Sequence, residues 1–316
     1  MKRFITIVLL ALVTAELNAQ CCSGGVPMSG NLGMPLTDVG TFQLNLSYDL
    51  NNLKTLKQGS KKLDDDYRQR LTHSVLLEFG YSINERISVD GFFSFVRQER
   101  RIQNPGSRAN FTKSEGIGDA VLLIKYKILE GFALGYGVKA PFGSSDELRE
   151  DGVPLGADLQ PGSGSWDQIF YASYSKGLNS RPSLSVFGTS IFRMTGKNNS
   201  YLGSSTYEFG DEFQLIVGAS DRIVISKFLM DPSLRFRFRN VGRDQFDFNG
   251  TPGSGGTFIF INPGLSWQLG QNIAYQANVE LPLYAKVNEA QLAPTFRINT
   301  GIQIRIRRKD DFQFQP

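Results

Sequence analysis

Three arginines spaced two apart, Arg235, Arg237 and Arg239, stand between Leu234, Phe236 and Phe238. In an extended chain that spacing sends the guanidinium groups to one side and the apolar groups to the other. The pattern returns near the C-terminus, where Arg297, Asn299, Gln303 and Arg305 alternate with Ile298, Ile302, Ile304 and Ile306. Lys125, Lys127 and Lys139 come from two further alternating segments, and carboxylates able to oppose these cations stand at Asp49, Glu78, Asp90, Asp119, Glu212 and Glu280. Such a set has two possible jobs. A ring of cations in a narrow passage favours anionic or polar solutes; the same charges, paired, brace a wall. Both readings place Asp119, Lys125, Lys139, Arg235, Arg237, Arg239, Glu280 and Arg297 on a wet inner face, where they are the candidate solute-contacting residues.

Catalytic chemistry has little to stand on. The single histidine, His73, shares a face with Leu71, Val75 and Leu77, while the neighbouring Ser74 points to the other side. A Ser–His hydrolase needs its imidazole beside the nucleophile. Twelve-stranded outer-membrane phospholipases carry their serine two residues after the histidine, and two residues after His73 stands Val75. The acidic runs Asp64–Asp66 and Asp146, Glu147, Glu150, Asp151 could hold calcium, but solvated external loops are the preferred reading. No catalytic residue, cofactor or metal site is assigned.

The elements that must position the charges are strands. Thr41 to Asn51 alternates Phe42, Leu44, Leu46, Tyr48 and Leu50 with Gln43, Asn45, Ser47 and Asp49, and Leu71 to Ile83 returns in the same style. Strands with one greasy and one wet face, repeated about twelve times, predict an all-β fold, an antiparallel transmembrane β-barrel with lipid outside and a polar lumen. Long links near residues 52–70, 98–117, 141–166, 194–208, 247–257 and 287–294 alternate with short ones near 84–85, 130–131, 177–182, 219–222 and 269–271. Outer-membrane barrels pair long external loops with short periplasmic turns in this manner. Trp267 and Tyr275 flank one short turn and suit an aromatic girdle. Two segments are less regular. Ser183 to Arg193 has apolar residues on both faces, and Pro232 interrupts the long stretch 222–246, where a bulge or a longer turn is expected.

Composition agrees. With 41% hydrophobic residues and a mean hydropathy of −0.21, no stretch beyond the N-terminus approaches a membrane helix. Barrel strands escape such averages because their apolar residues sit at alternate positions. A formal charge of +4 without a basic run gives no nucleic-acid surface. Lys2 and Arg3 before the apolar run Ile5 to Val13, with small residues at Thr14, Ala15 and Ala19, predict a secretory signal over residues 1–19. Gln20 before Cys21 disfavours lipoprotein processing. Cys21 and Cys22 read as incidental thiols in a tail, with intermolecular pairing or soft-metal capture as the alternatives. The expected organisation is an N-terminal segment over 20–40, able to tuck in as a plug or to hang in the periplasm, a barrel over 41–307 and a C-terminal tail over 308–316.

Three stretches carry a resemblance: Gly116-Ile-Gly-Asp-Ala-Val-Leu-Leu-Ile-Lys125-Tyr126, Gly137-Val-Lys-Ala-Pro141-Phe-Gly143 and Pro161-Gly-Ser-Gly-Ser-Trp166-Asp167. In order and spacing they resemble a family of outer-membrane transporters named for the MetA pathway of phenol degradation, over roughly residues 116–176. The resemblance implies a barrel that moves small, often hydrophobic or aromatic, molecules across the outer membrane, and supplies no catalytic or binding residues. Its glycines fit strand edges and bends. Taken together, the sequence leads to the expectation of an outer-membrane channel or transporter that passively admits small solutes, with outer-membrane lipid and the solute as partners and the oligomeric state open. The alternatives are a structural or surface-interaction barrel with a sealed lumen, and a lipid-modifying outer-membrane enzyme.

Overall fold

The computed structural model describes residues 38–103, 110–226 and 228–307. The expected signal segment, the two cysteines, nearly all of the 20–40 segment and the 308–316 tail lie outside the described residues. Strands dominate: β1 (Phe42–Gly59), β2 (Lys61–Lys62), β3 (Arg68–Ser82), β4 (Ile87–Ile102), β5 (Asn110–Ile117), β6 (Ala120–Leu129), β7 (Phe132–Ala140), β8 (Asp167–Leu178) and β9 (Arg181–Met194) come first. They are followed by β10 (Lys197–Tyr201), β11 (Ser205–Glu208), β12 (Glu212–Asp221), β13 (Ile223–Ile225), β14 (Phe228–Val241), β15 (Gln245–Phe246), β16 (Asn249–Gly250), β17 (Gly256–Gln268) and β18 (Ile273–Ile306). A single 3₁₀ turn, Ala157–Leu159, is the one helical element among the described residues.

The main sheet runs β12-β9-β8-β7-β6-β4-β3-β1-β18-β17-β14, and β14 pairs back onto β12, so the ring is closed and has no free edge. All its pairings are antiparallel. β18 enters that ring twice: Ala274–Val287 pairs with β17, and Val287–Ile306 pairs with β1. Straight, its 34 residues would reach about 110 Å, far beyond a bilayer. It folds back on itself instead. The Arg305 N–H donates to the Asn272 carbonyl at 2.8 Å, and the Thr300 hydroxyl donates to the Tyr275 hydroxyl at 2.7 Å. The chain therefore crosses twelve times, the even number that antiparallel closure demands.

Facing follows the alternation. On β1, Gln43, Asn45, Ser47 and Asp49 are buried inside while Leu46, at 53% exposure, points out. Leu77, Phe93, Leu122, Phe170, Leu215 and Leu234 continue an apolar outer belt around the ring, which water would not tolerate at this extent and lipid requires. Rings edge the belt near the short turns, where Phe228 and Trp267 meet edge to face with centroids 5.5 Å apart.

Several local expectations are refined. The long link expected at 98–117 is largely paired strand: β4 and β5 pair from Phe95↔Ile117 to Ile102↔Asn110, extending the wall past the rim. β1 and β3 likewise continue into the expected loop 52–70. The reversal expected at 219–222 comes later, between β13 and β14, whose register is Ile223↔Met230 to Ile225↔Phe228. Pro232 sits in the gap between the β12 ladder, which ends at Ser220↔Ser233, and the β13 ladder, which begins at Ile223↔Met230, while on its other side it lies opposite Leu265 of β17. Finally, the expected loops 194–208 and 247–257 contribute to a four-stranded external sheet, β10-β11-β15-β16.

Candidate functional site

The lumen is layered. Nearest the external mouth lies a collar of charges on neighbouring strands. Lys139 on β7 donates to Asp119 Oδ2 at 2.8 Å and lies 3.1 Å from Asp167 Oδ2 on β8. Arg193 on β9 bridges onward, 3.8 Å from Asp167 and donating to Glu212 Oε2 at 3.1 Å. Glu212 on β12 accepts from Arg239 Nε at 2.7 Å and from Gln214 Nε2 at 2.7 Å. Gln214 accepts from Arg237 at 3.3 Å, and Arg237 ends the run on Glu280 of β18. Arg297 pairs with Asp49 at 2.9 Å across the β18–β1 seam, and Lys125 with Asp90 at 2.6 Å across β6–β4. Arg235 donates to Asn262 Oδ1 at 3.1 Å.

All eight candidate residues thus face the lumen, but they do not form a bare basic ring. Register explains why: pairs such as Lys139↔Asp167 and Arg193↔Glu212 set opposite charges directly across adjacent strands. Among the collar residues, Lys139, Arg193, Arg237 and Arg239 face Asp119, Asp167, Glu212 and Glu280, so the collar is balanced. Asp167 and Arg193 escaped the sequence reading. Asp167 closes the third motif stretch, and Arg193 ends the segment whose facing was ambiguous.

Beside the collar lies an apolar cluster of Leu76, Phe92, Val121, Leu123, Ile169, Tyr171 and Ile191, with Val121 opposite Lys139 and Ile169 opposite Arg193. Below that, the lining shrinks to Ser173, Ser185, Ser220, Ser233 and Gln276, all half-buried. Lys139 and Asp119, by contrast, are each 0% exposed. Near the short turns Gln43, Ser82 and Ser88 are buried as well, so the lower lumen is open along β8, β9, β12 and β14 and filled along β1, β3 and β4.

The segment 141–166 closes the upper end. It was expected as a solvated loop and instead folds inward as a strap, because its backbone finds buried acceptors there. Asp119 takes the Gly143 N–H at 3.2 Å on Oδ1, and the Ser163 N–H at 3.0 Å and hydroxyl at 2.6 Å on Oδ2. Gln160 staples the strap to itself: its side chain donates to the Glu147 and Leu155 carbonyls, both at 3.1 Å, and accepts the Glu147 N–H at 2.9 Å. Leu155 and Leu159 are buried. Gln98 donates to the Gln160 carbonyl at 3.2 Å and Ser114 to the Leu159 carbonyl, while Arg70 holds the Asp158 carboxylate at 3.1 Å. Glycines permit the crossing: a Cβ at Gly143 would stand 2.6 Å from Gly162 Cα, and one at Gly162 only 2.2 Å from the Gly143 carbonyl oxygen.

Outside the strap, the external sheet packs Tyr201, Tyr207 and Phe209 against Ala157. Between them opens a groove of about 470 Å³, lined by Asp158, Tyr201, Leu202, Tyr207, Phe246 and the stretch 249–252. Beneath it Asp244 is buried and accepts the Tyr207 hydroxyl at 2.7 Å and the Gly210 N–H at 2.8 Å. His73 lies on the outer wall, its Nδ1 2.6 Å from the Tyr48 hydroxyl; Ser74 is buried on the inner side. The described residues hold no group of three or more metal-ligating side chains.

No family model matches the chain, and no curated protein does at a significant level. The MetA-pathway resemblance therefore rests on its three stretches alone. Among solved structures the chain is similar to an outer membrane channel from Pseudomonas putida F1, at 16% identity and a TM-score of 0.62, over 89% of this chain and 100% of that one. The β domain of the Bordetella autotransporter BrkA matches at 11% identity and a TM-score of 0.50, over 84% of this chain and 100% of that one. At these identities the likeness is one of fold. With the closed ring and its apolar belt, the fold is that of an outer-membrane β-barrel, and the outer membrane is where such a belt belongs.

Proposed function

We propose that the chain is a gated outer-membrane channel that passively admits small solutes, hydrophobic or aromatic ones among them. One observation carries this reading: along β8, β9, β12 and β14 the lumen changes from small, half-buried polar residues near the short turns to a tight collar under a folded strap. A barrel serving only as a scaffold has no need of a partly open vestibule that ends at a closure. The apolar cluster beside the collar suits solutes without charge. In this reading the eight candidate lumen residues act chiefly through their pairing, setting the width of the passage and keeping unpaired ions from entering it.

The test is conductance of the refolded barrel in planar bilayers, beside Gly162→Ala, whose new Cβ collides with the strap crossing. The expected outcome is small, intermittent conductance in the parent and larger, steadier conductance in the variant. Silence from both, in preparations verified as folded, overturns the channel reading in favour of a sealed barrel.

A further inference from the structure

The groove at the external mouth has a chemistry of its own. Its walls are rings set at steep angles: Tyr201 and Tyr207 have centroids 5.0 Å apart with planes at 54°, and Tyr201 and Phe246 lie 6.2 Å apart at 84°. Tyr201, Tyr207 and Phe246 all line the groove, so much of its wall is aromatic. Asp158 is the one charged side chain among the described residues that line the groove. Arg70 and Arg100 approach its Oδ2 at 3.1 Å and 4.0 Å, whereas Oδ1 lies beside Gly156, a groove-lining residue at which a Cβ would meet it at 2.8 Å. The carboxylate thus faces arginines on one oxygen and the groove residue Gly156 at the other. Nearby, Lys197 Nζ already rests 5.2 Å from the Phe248 ring centroid, an ammonium on an aromatic face within the same external structure.

Rings in crossed planes with one carboxylate form a surface that attracts a diffuse positive charge. A volume of about 470 Å³ falls within the range of small-ligand sites. We propose that this groove is a binding site for small organic ammonium ions carried on a compact apolar body. The cation would lie against the faces of Tyr201, Tyr207 and Phe246, with Asp158 balancing its charge. The floor of the site, Gly156–Asp158, is the tip of the strap, so an occupant touches the segment that closes the lumen. The proposal deepens the channel reading by naming a solute class, and it rests on that reading only for its link to passage.

Binding is measured without passage, by equilibrium dialysis of the detergent-solubilised, folded full chain. The probes are benzyltrimethylammonium, its neutral carbon isostere neopentylbenzene, and the anion phenylacetate. The expected result is saturable binding of the cation, weaker binding of the isostere and none of the anion. Phe246→Leu keeps an apolar wall but removes a π-face, and at 38% exposure Phe246 is not a core residue. It should weaken the cation by about three- to tenfold while leaving the isostere unchanged, and Asp158→Asn should weaken the cation alone. Equal affinity for cation and isostere, tighter binding of phenylacetate, or cation binding indifferent to Phe246→Leu overturns the proposal. Conductance on the same preparation reads the channel separately. Cation binding without conductance removes the channel and keeps the site; conductance without saturable cation binding removes the site and keeps the channel.

Discussion

Asp119 and Lys139 meet at 2.8 Å inside the barrel, neither side chain reaching solvent, and the same carboxylate holds both ends of the strap. One residue therefore ties the wall to the closure. Asp119→Ala removes the acceptor for two backbone N–H groups and one hydroxyl, and leaves Lys139 with Asp167 as its carboxylate partner. The expected cost is about 3 kcal/mol, read as a lower denaturant midpoint, together with more frequent channel opening in bilayers. An unchanged open probability in a folded variant contradicts the strap's role as the gate.

Arg237 and Glu280 form a buried pair in which Arg237 also lies 4.6 Å from the Phe260 ring centroid. Arg237→Ala leaves Glu280 without its cation and should shift selectivity toward cations, at a stability cost of about 3 kcal/mol. Arg237→Met with Glu280→Leu should recover most of that cost, since a paired loss strands no charge. A double-mutant cycle of unfolding midpoints with additive losses speaks against the pairing.

Asp244 gives the external sheet a pH dependence. Burial pushes its carboxyl up to about 7, against the downward pull of the Tyr207 and Gly210 hydrogen bonds. A raised folded pKa means that the folded state holds the proton more tightly than the unfolded one. The resulting stabilisation is complete below the ordinary carboxylate value, 3.8, and is lost as pH rises through about 7. Amide exchange in residues 201–210, corrected for intrinsic rates, should therefore show falling protection from pH 5 to 8, and Asp244→Asn should flatten the trend. Rising protection over that interval would contradict it.

His73 faces outward against Tyr48, away from the buried Ser74. His73→Ala should leave conductance unchanged and shift stability by less than about 1 kcal/mol. A large loss of any lipid-modifying activity in this variant would revive the enzyme reading.

Much of this was legible in the chain. The alternation in residues 41–51 and 295–306 assigned faces correctly because one face is polar and the other apolar, the condition under which a two-residue period carries information. Where the lumen itself is apolar the signal fades. Phe187 and Ile191 point inward and Val186 and Phe192 outward, so the segment reads as greasy on both sides. Arg235, Arg237 and Arg239 were recognisable as inner residues, but their partners depend on inter-strand register, which no local pattern encodes. The strap was hidden for a different reason. Its residues look like any polar loop, and only the proximity of Asp119, more than twenty positions away from Ser163 in sequence, draws it inward. The glycines of the three motif stretches did carry a trace of it: Gly143 and Gly162 are the crossing point itself.

That crossing has an architectural consequence. Because Gly143 and Gly162 touch, the segment between them begins and ends at one place on the rim, so it can leave the mouth or return without altering the register of any of the strands beneath. The barrel is in effect a socket and the strap a cartridge. Exchanging the cartridge's contents for a loop of different length or chemistry, with the two glycines and the Asp119 anchor retained, should retune what is admitted while the wall folds as before.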